Sequence, residues 1–221
     1  MRTRSLLSLL LLALILLGCR FSGVRGSGDL EEVTRTFESF SALEISGAYE
    51  VNVLMGDEYK VHISADDNLI PLIKTNVKGS ALRIYSKKDL RPREEIVITV
   101  TTKELESIVS SGASEITAND IDCSRFGVAL SGAGGITLSG KTDILDIAMS
   151  GAGNIDSKNL IADDVNISVS GVGDAIVYVA NILKAEVSGV GNIEYLGNPN
   201  KVSSNVSGVG SISKAKKEVD Y

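Results

Sequence analysis

A hexamer of the form Ser-Gly-x-Gly-x-Ile is written six times in this chain, with small departures, and its spacing restricts the fold more than any other feature. The copies begin at Ser111, Ser131, Ser150, Ser170, Ser188 and Ser207, at steps of 20, 19, 20, 18 and 19 residues. A unit this short cannot bury its own apolar face, so a steady period requires neighbours to stack and share one core. Glycine-rich hexamers repeated in this way read first as scaffolding and only second as a site.

Aligning the copies on the serine shows how they stack. Apolar residues stand five, three and one places before it: Phe126, Val128, Leu130; Leu145, Ile147, Met149; Val165, Ile167, Val169; Leu183, Ala185, Val187. Five places after it stand Ile116, Ile136, Ile155, Ile193 and Ile212. Such alternation is the mark of strands with one face inward. Carried through the hexamer, the same parity turns both glycines inward and leaves the Ser, the Ala or Val and the Asn or Asp outside. Seven places before the serine, Ser124, Asp143, Asp163, Asn181 and Asn200 form a row suited to a corner, because these side chains hydrogen-bond their own backbone. One place earlier, Cys123, Thr142, Ala162 and Ala180 form a small-residue row in which Cys123 counts as a small buried residue. Two or three short strands per repeat, with corners and no helix, describe an all-β chain wound as a parallel β-helix with rungs of about 19 residues.

Composition agrees with a thin aliphatic core. Of 221 residues 43% are apolar and only 5% aromatic, with no Trp and 22 Gly. Stacked Ile, Val, Leu and Ala fit that better than a large sandwich or a lectin that stacks sugars on aromatic rings. The formal net charge of −6 offers no basic field to a phosphate backbone, so nucleic acid is not an expected partner.

At the N-terminus Arg2 and Arg4 precede a predominantly apolar run from Leu6 to Leu17. That run is too short to span a bilayer and has the layout of a secretory signal, so residues 1–18 are read as a signal peptide. Leu16-Leu17-Gly18-Cys19 resembles a bacterial lipobox, which makes Cys19 the lipid-bearing residue and the membrane its partner. Cys123 is then the one remaining thiol, so no intramolecular disulfide is expected.

Residues 19–33 are Gly- and Ser-rich without hydrophobic period and read as a flexible stalk. The folded part is expected over 34–215, with irregular strands over 34–104 forming an N-terminal β cap, regular rungs over 105–215, and a tail over 216–221. Within the cap, Leu43, Ile45, Val51 and Val53 alternate around Ser46-Gly47-Ala48, a degenerate early copy of the hexamer. Tyr59, Val61, Ile63 and Ala65 form a further strand, and Ile96, Ile98 and Val100 another. Asp66-Asp67-Asn68 are residues that cap helices, predicting one or two helical turns after them. Lys214, Lys216 and Lys217 read as protecting the open last rung from edge pairing.

Together these segments resemble a known family. The lipobox, Gly26-Ser27-Gly28-Asp29, Phe40-x-x-Leu-Glu-Ile-Ser-Gly-Ala-Tyr-Glu-Val51, Gly56-Asp-Glu-Tyr59, Ala65-Asp-Asp-Asn-Leu-Ile70 and the reiterated hexamer are similar to the auto-transporter adhesin, head GIN domain family over residues 34–215. The resemblance implies a single-stranded right-handed β-helix and an envelope lipoprotein of Bacteroidota-like bacteria, lipid-anchored, in the outer membrane on its periplasmic or surface face. It supplies no catalytic residues. Ser114, Glu115 and Gly135 depart from the consensus and imply local irregularity.

Chemistry beyond scaffolding finds little footing. Calcium-binding rolls repeat every nine residues or so and present carboxylates at each step, whereas the row at Glu115, Asn154, Asp174 and Asn192 has twice that period and is half amide. Asp143 and Asp163 on adjacent rungs meet the spacing of a glycosidase pair, but any stacked pair does, and His62 stands alone in a strand. No Gly-x-Gly copy is followed by the helix that a phosphate site needs. The expectation is therefore a non-enzymatic tethered β-helix, without cofactor or metal, whose outward ladder of Ser131, Ser150, Ser170, Ser188, Ser207, Asn154, Asp174 and Asn192 contacts an envelope protein or glycan. The alternatives are a polysaccharide-cleaving, pectinase-like β-helix enzyme and an element that stacks end to end. The last requires apolar terminal rungs, against which the lysine-rich tail argues.

Overall fold

Alternating Val, Ile and Leu, with no apolar run at helical spacing, leave each repeat only the strand conformation. The structure, a computed structural model, describes residues 23–215 and contains no α-helix among them. In chain order the strands are β1 (Val24–Arg25), β2 (Leu30–Thr36), β3 (Ala42–Ser46), β4 (Glu50–Met55), β5 (Lys60–Asp66), β6 (Ile73–Lys78), β7 (Ala81–Ser86), β8 (Leu90–Arg91), β9 (Val97–Thr102), β10 (Ser107–Ser110), β11 (Ala113–Leu130), β12 (Ala133–Met149), β13 (Ala152–Val169), β14 (Ala175–Val187), β15 (Val190–Leu196), β16 (Lys201–Val206) and β17 (Val209–Lys214). The signal peptide and Cys19 lie outside the described residues, as does the tail from 216.

From β10 onward the chain is a parallel solenoid of about five turns. The strand before each motif serine forms side A: β10 and the later parts of β11, β12, β13 and β14, then β16. The strand after it forms side B: the first parts of β11 to β14, then β15 and β17. Like positions pair with like, as in Leu130 with Met149, Met149 with Val169 and Val169 with Val187. The inward rows are buried, and Phe126, Leu130, Leu145, Val165, Val169, Leu183 and Val187 have no exposed surface. Where short strands were expected, β11, β12 and β13 run unbroken for 17 or 18 residues around a third side. They bend at bulges, marked by Asp120 and Gly140 with φ of 59° and 128°. On that third side Cys123, Thr142 and Ala162 stack as expected, but the next member is Val179, because the shorter fourth repeat leaves Ala180 exposed.

The motif glycines do not point into the interior. A Cβ on Gly132, Gly151, Gly171, Gly189 or Gly208 would lie 1.8 to 2.0 Å from the carbonyl oxygen of the equivalent glycine one coil back. The second glycine column is as tight, Gly173 meeting Gly153 O at 1.7 Å. Glycine is thus required by the close stacking of one turn on the next. Backbone bonds such as Ala152 N to Gly132 O (2.9 Å) and Val172 N to Gly151 O (2.9 Å) hold that contact.

Residues before β10 contribute two further coils, in reversed order. β3 and β4 lie directly beneath β10 and β11, and β7 and β9 lie beneath β3 and β4. Ser46-Gly47-Ala48 takes the motif's place in the first of these, with Ala113 N donating to Gly47 O at 2.6 Å. The first coil in sequence is therefore held between the second and the third. Beyond it the stack is closed by antiparallel strands: β5 on β9, β2 on β5, and β6 on β7.

One expectation fails here and another holds only in part, for one reason. Residues 23–33 are no flexible stalk: β1 pairs with β8 and β2 runs the length of β5. The three polar residues expected to cap a helix hold this segment instead. Asp66 accepts from Gly28 N (2.5 Å), Arg93 N (2.9 Å) and Glu94 N (3.4 Å); Asn68 donates to Arg25 O (2.8 Å) and accepts from Ser27 N (3.0 Å). Of the one or two helical turns expected after them the chain makes one, a 3-10 turn at Ile70–Leu72, with no side-chain cap. Arg35 ties β2 to it by donating to Ile70 O and Ile73 O. Burial lowers the Arg35 pKa without removing its charge.

Candidate functional site

Because the inward parity on side A is filled by Val, Ile and Leu, the residues between them face solvent in two columns. One runs Ser107, Gly127, Asp146, Asn166, Lys184, Ser203; the other runs Val109, Ala129, Ala148, Ser168, Glu186, Asn205. Gly127, Ala129, Ala148 and Ser168 are small, so the lower half of this face sinks into a groove of about 660 Å³ that crosses all six strands. Its lower end carries exposed Val109, and its upper end carries Lys184 and Glu186. Asp146 is held in the middle, with one carboxylate oxygen accepting from Arg125 Nε at 2.7 Å and the other from Asn166 Nδ2 at 2.8 Å. The groove thus presents an apolar floor with fixed polar groups at one side, a surface suited to an extended chain.

Two residues further along each coil comes the motif turn, and it places the ladder residues outside as expected. Ser131, Ser150, Ser170, Ser188 and Ser207 are exposed and stack in one column, and Asn154, Asp174 and Asn192 are exposed in another. The serines are tied to the scaffold: Ser131 Oγ donates to Ser110 O and Ser170 Oγ to Met149 O, both at 3.4 Å. The amide and carboxylate column is chained from coil to coil. Asn154 Oδ1 accepts from Asp174 N (3.1 Å), Asp174 Oδ1 from Asn192 N (2.8 Å) and Nδ2 (2.9 Å), and Asn192 Oδ1 from Ser211 Oγ (2.8 Å). Between these columns runs a stripe of Ala113, Ala133, Ala152, Val172, Val190 and Val209, whose three valines are 57%, 50% and 71% exposed. The groove and the motif ridge form one continuous outer face.

Sequence reading located the ridge and missed the groove. The signal was partial: small residues stand two places before Ser131, Ser150 and Ser170 (Ala129, Ala148, Ser168) and four places before Ser131 (Gly127). It is masked by the stronger alternation of the apolar residues between them.

Other candidate groups lie apart from this face. Asp143 and Asp163 are exposed at the corner, and Asn181, expected in their row, donates to Asp164 Oδ1 (3.0 Å) while accepting from Asn200 Nδ2 (3.0 Å). Cys123 is half-buried with Thr142 Oγ1 at 3.8 Å, and burial raises its pKa, away from a reactive thiolate. His62 sits in the cap beside Thr34 Oγ1 (3.1 Å) and Glu32 (3.6 Å). Tyr49 occupies the second-glycine place of the early motif copy, and burial pushes its phenol up to about 12. Among the described residues no group of three His, Cys, Asp or Glu is placed to hold a metal ion, and no helix is long and apolar enough to cross a membrane.

Known proteins share this architecture. A family model described as "Putative auto-transporter adhesin, head GIN domain" matches residues 39–199. Among solved structures, a putative adhesin from Bacteroides fragilis is 23% identical, covers 87% of this chain and 100% of its own, and superimposes with a TM-score of 0.74. A protein from Parabacteroides distasonis described as a putative lipid binding protein is 23% identical over 87% of this chain and 99% of its own, with a TM-score of 0.54. A putative adhesin from Parabacteroides merdae is 22% identical over 87% and 99%, with a TM-score of 0.50. No curated protein matches the chain.

Proposed function

The chain belongs to the auto-transporter adhesin, head GIN domain family, and from that premise we propose that it is a non-enzymatic, adhesin-like protein of the cell envelope that grips an extended protein segment or glycan along side A and the motif ridge. The observation that carries this is the groove of about 660 Å³ with its floor of Gly127, Ala129, Ala148 and Ser168. A face built by repetition presents the same spacing, about 4.8 Å per coil, over six strands, and binds by area rather than by a closed pocket. The carboxylate of Asp146, held in place by Arg125 and Asn166, supports a recognition role as a fixed acceptor beside the groove floor.

Lipidation of Cys19 is part of the same reading. Four residue steps lead from it to Gly23, a reach of at most about 14 Å, and Gly23 begins the segment packed on the cap. An acyl anchor there holds the capped end near the bilayer and points the coils of β14 to β17 away from it. Anchoring in the outer membrane, on either face, is compatible with this geometry.

The test is binding to immobilised envelope protein and polysaccharide fractions. Ala148→Arg, which fills the groove floor without touching the core, is expected to weaken capture at least tenfold while leaving the melting temperature within about 2 °C. Undiminished capture by that variant, or release of reducing ends from any polysaccharide, would count decisively against the proposal. A Cys19→Ser variant that still partitions with membranes would remove the tether from it.

A further inference from the structure

The two ends of the coil stack are built differently. At the N-terminal end the parallel sheets give way to antiparallel β5, β2 and β6, whose outer strands carry Glu31, Glu32, Lys74 and Lys78. At the other end β16 pairs with β14 and β17 with β15, and no strand among the described residues covers their far edges. Val202 and Val206 there are each 42% exposed, although they occupy the places held one coil earlier by the fully buried Leu183 and Val187. Among the described residues no coil lies above these core positions.

Of the three lysines expected to guard this edge, Lys216 and Lys217 lie outside the described residues, and Lys214 is turned away from it. Lys214 folds back onto its own coil, its Nζ donating to Asn198 Oδ1 at 3.2 Å. An open row of backbone N–H and C=O groups beside exposed core valines is the kind of edge that recruits another strand.

We propose that this open end binds the open end of a second copy of the chain, β16 and β17 of each pairing antiparallel with those of the other across a two-fold axis. That axis reverses the direction of winding, so the meeting strands run antiparallel. The contact is isologous, and at the capped ends the outer strands β2 and β6 carry Glu31, Glu32, Lys74 and Lys78 in place of bare core valines, so association stops at two rather than continuing as a filament. A final coil of 19 residues (197–215), at the usual ratio of about 800 Å² per partner for 20–30 interface residues, buries roughly 600 Å² on each copy. That is the lower range of specific interfaces, and the expected dissociation constant is on the order of micromolar. Nine strands deep on side A, each copy is about 40 Å long, which sets the two capped ends roughly 80 Å apart. This pairing needs neither the lipid nor the groove ligand.

Sedimentation equilibrium of the full chain in a non-ionic detergent, from about 1 to 100 μM, reads the association directly. A monomer–dimer equilibrium is expected, abolished by the pair Val202→Lys with Val206→Lys and retained by Val172→Lys, a control on the motif ridge. Hydrogen exchange supplies a second reading independent of any variant: amides of Lys201–Val206 and Val209–Lys214 slow as concentration rises, while those of Leu30–Thr36 do not. A monomer at every concentration, a dimer indifferent to the two lysines, or last-coil exchange that does not change with concentration overturns the proposal. The last outcome would leave the edge to a different protein.

Discussion

A methyl group on Gly151 would lie 1.9 Å from the Gly132 carbonyl oxygen, whereas one on Gly127 meets nothing nearer than 3.6 Å. The two glycines look equivalent in composition and differ in physical role: the first is needed by coil stacking, the second only keeps the groove floor low. Gly151→Ala is therefore expected to cost about 2–3 kcal/mol, since backbone must move to relieve it, and Gly127→Ala less than about 0.5 kcal/mol, both read from urea denaturation. Asp66 is the other residue on which much depends. Burial alone raises its pKa, but the N–H groups of Arg93, Gly28 and Glu94 and the Arg93 charge outweigh that and hold it below the ordinary 3.8. A lowered folded pKa means that its contribution is complete above that ordinary value and is lost as pH falls through the folded pKa. Stability of the native protein should thus drop as the pH falls below about 4. Asp66→Asn, already weaker at pH 7 by roughly 1–2 kcal/mol for its unmatched N–H donors, should lose less over the same interval in paired denaturation curves.

Elements divide sharply into those that the sequence reveals and those that it hides. From Phe126 to Val187 the inward residues before each motif serine were legible, because a period of 2 inside a period near 19 leaves one parity and one stacking register, whereas the buried Leu138, Leu160, Val177 and Val179 were not. The glycine direction was not, since counting parity through a turn ignores that the Cβ there points along the stack. Nor was the cap. Leu30–Thr36 reads Leu-Glu-Glu-Val-Thr-Arg-Thr, too polar to announce a strand, and it is ordered by partners about 30 residues away, Ile63 opposite Val33 and Val61 opposite Arg35. The groove escaped for a similar reason: small outward residues carry no hydrophobic signal, and only the register between coils reveals that they align. The cap makes a clear prediction. In limited trypsin digestion the bond after Arg35 should resist cleavage for as long as the coils stay folded, while Thr34→Pro, which removes a donor in the middle of β2, should open it without loosening the strands after Ser107. Rapid cutting of the native chain after Arg35 would restore the flexible stalk.

At the scale of the whole molecule, the reversed order of the first two coils decides how the chain can be divided. In a simple solenoid each coil depends on its two neighbours, and ends can be trimmed with a graded loss. From β10 to β17 this chain follows that rule, and its final coil is exposed throughout β16. Below β10 it does not, because the coil of β3 and β4 sits between one made later, β7 and β9, and the one made after that, β10 and β11. Neither part of the N-terminal region can then be complete alone. Residues up to 104 leave the upper faces of Leu43, Ile45, Val51 and Val53 bare, and a chain starting at 105 bares Ile108 and Ile116 while also keeping the open end at β16. Ending the chain at Leu196 should accordingly preserve a strand-type circular dichroism spectrum and a cooperative melt, lowered by several degrees. Starting it at Leu105 should give no cooperative melt at all, because two open ends on so thin a core bury too little apolar surface to offset the ordering of the coils. Cooperative unfolding of the 105–221 fragment would mean that the interleaved coil is an addition to the solenoid rather than its foundation.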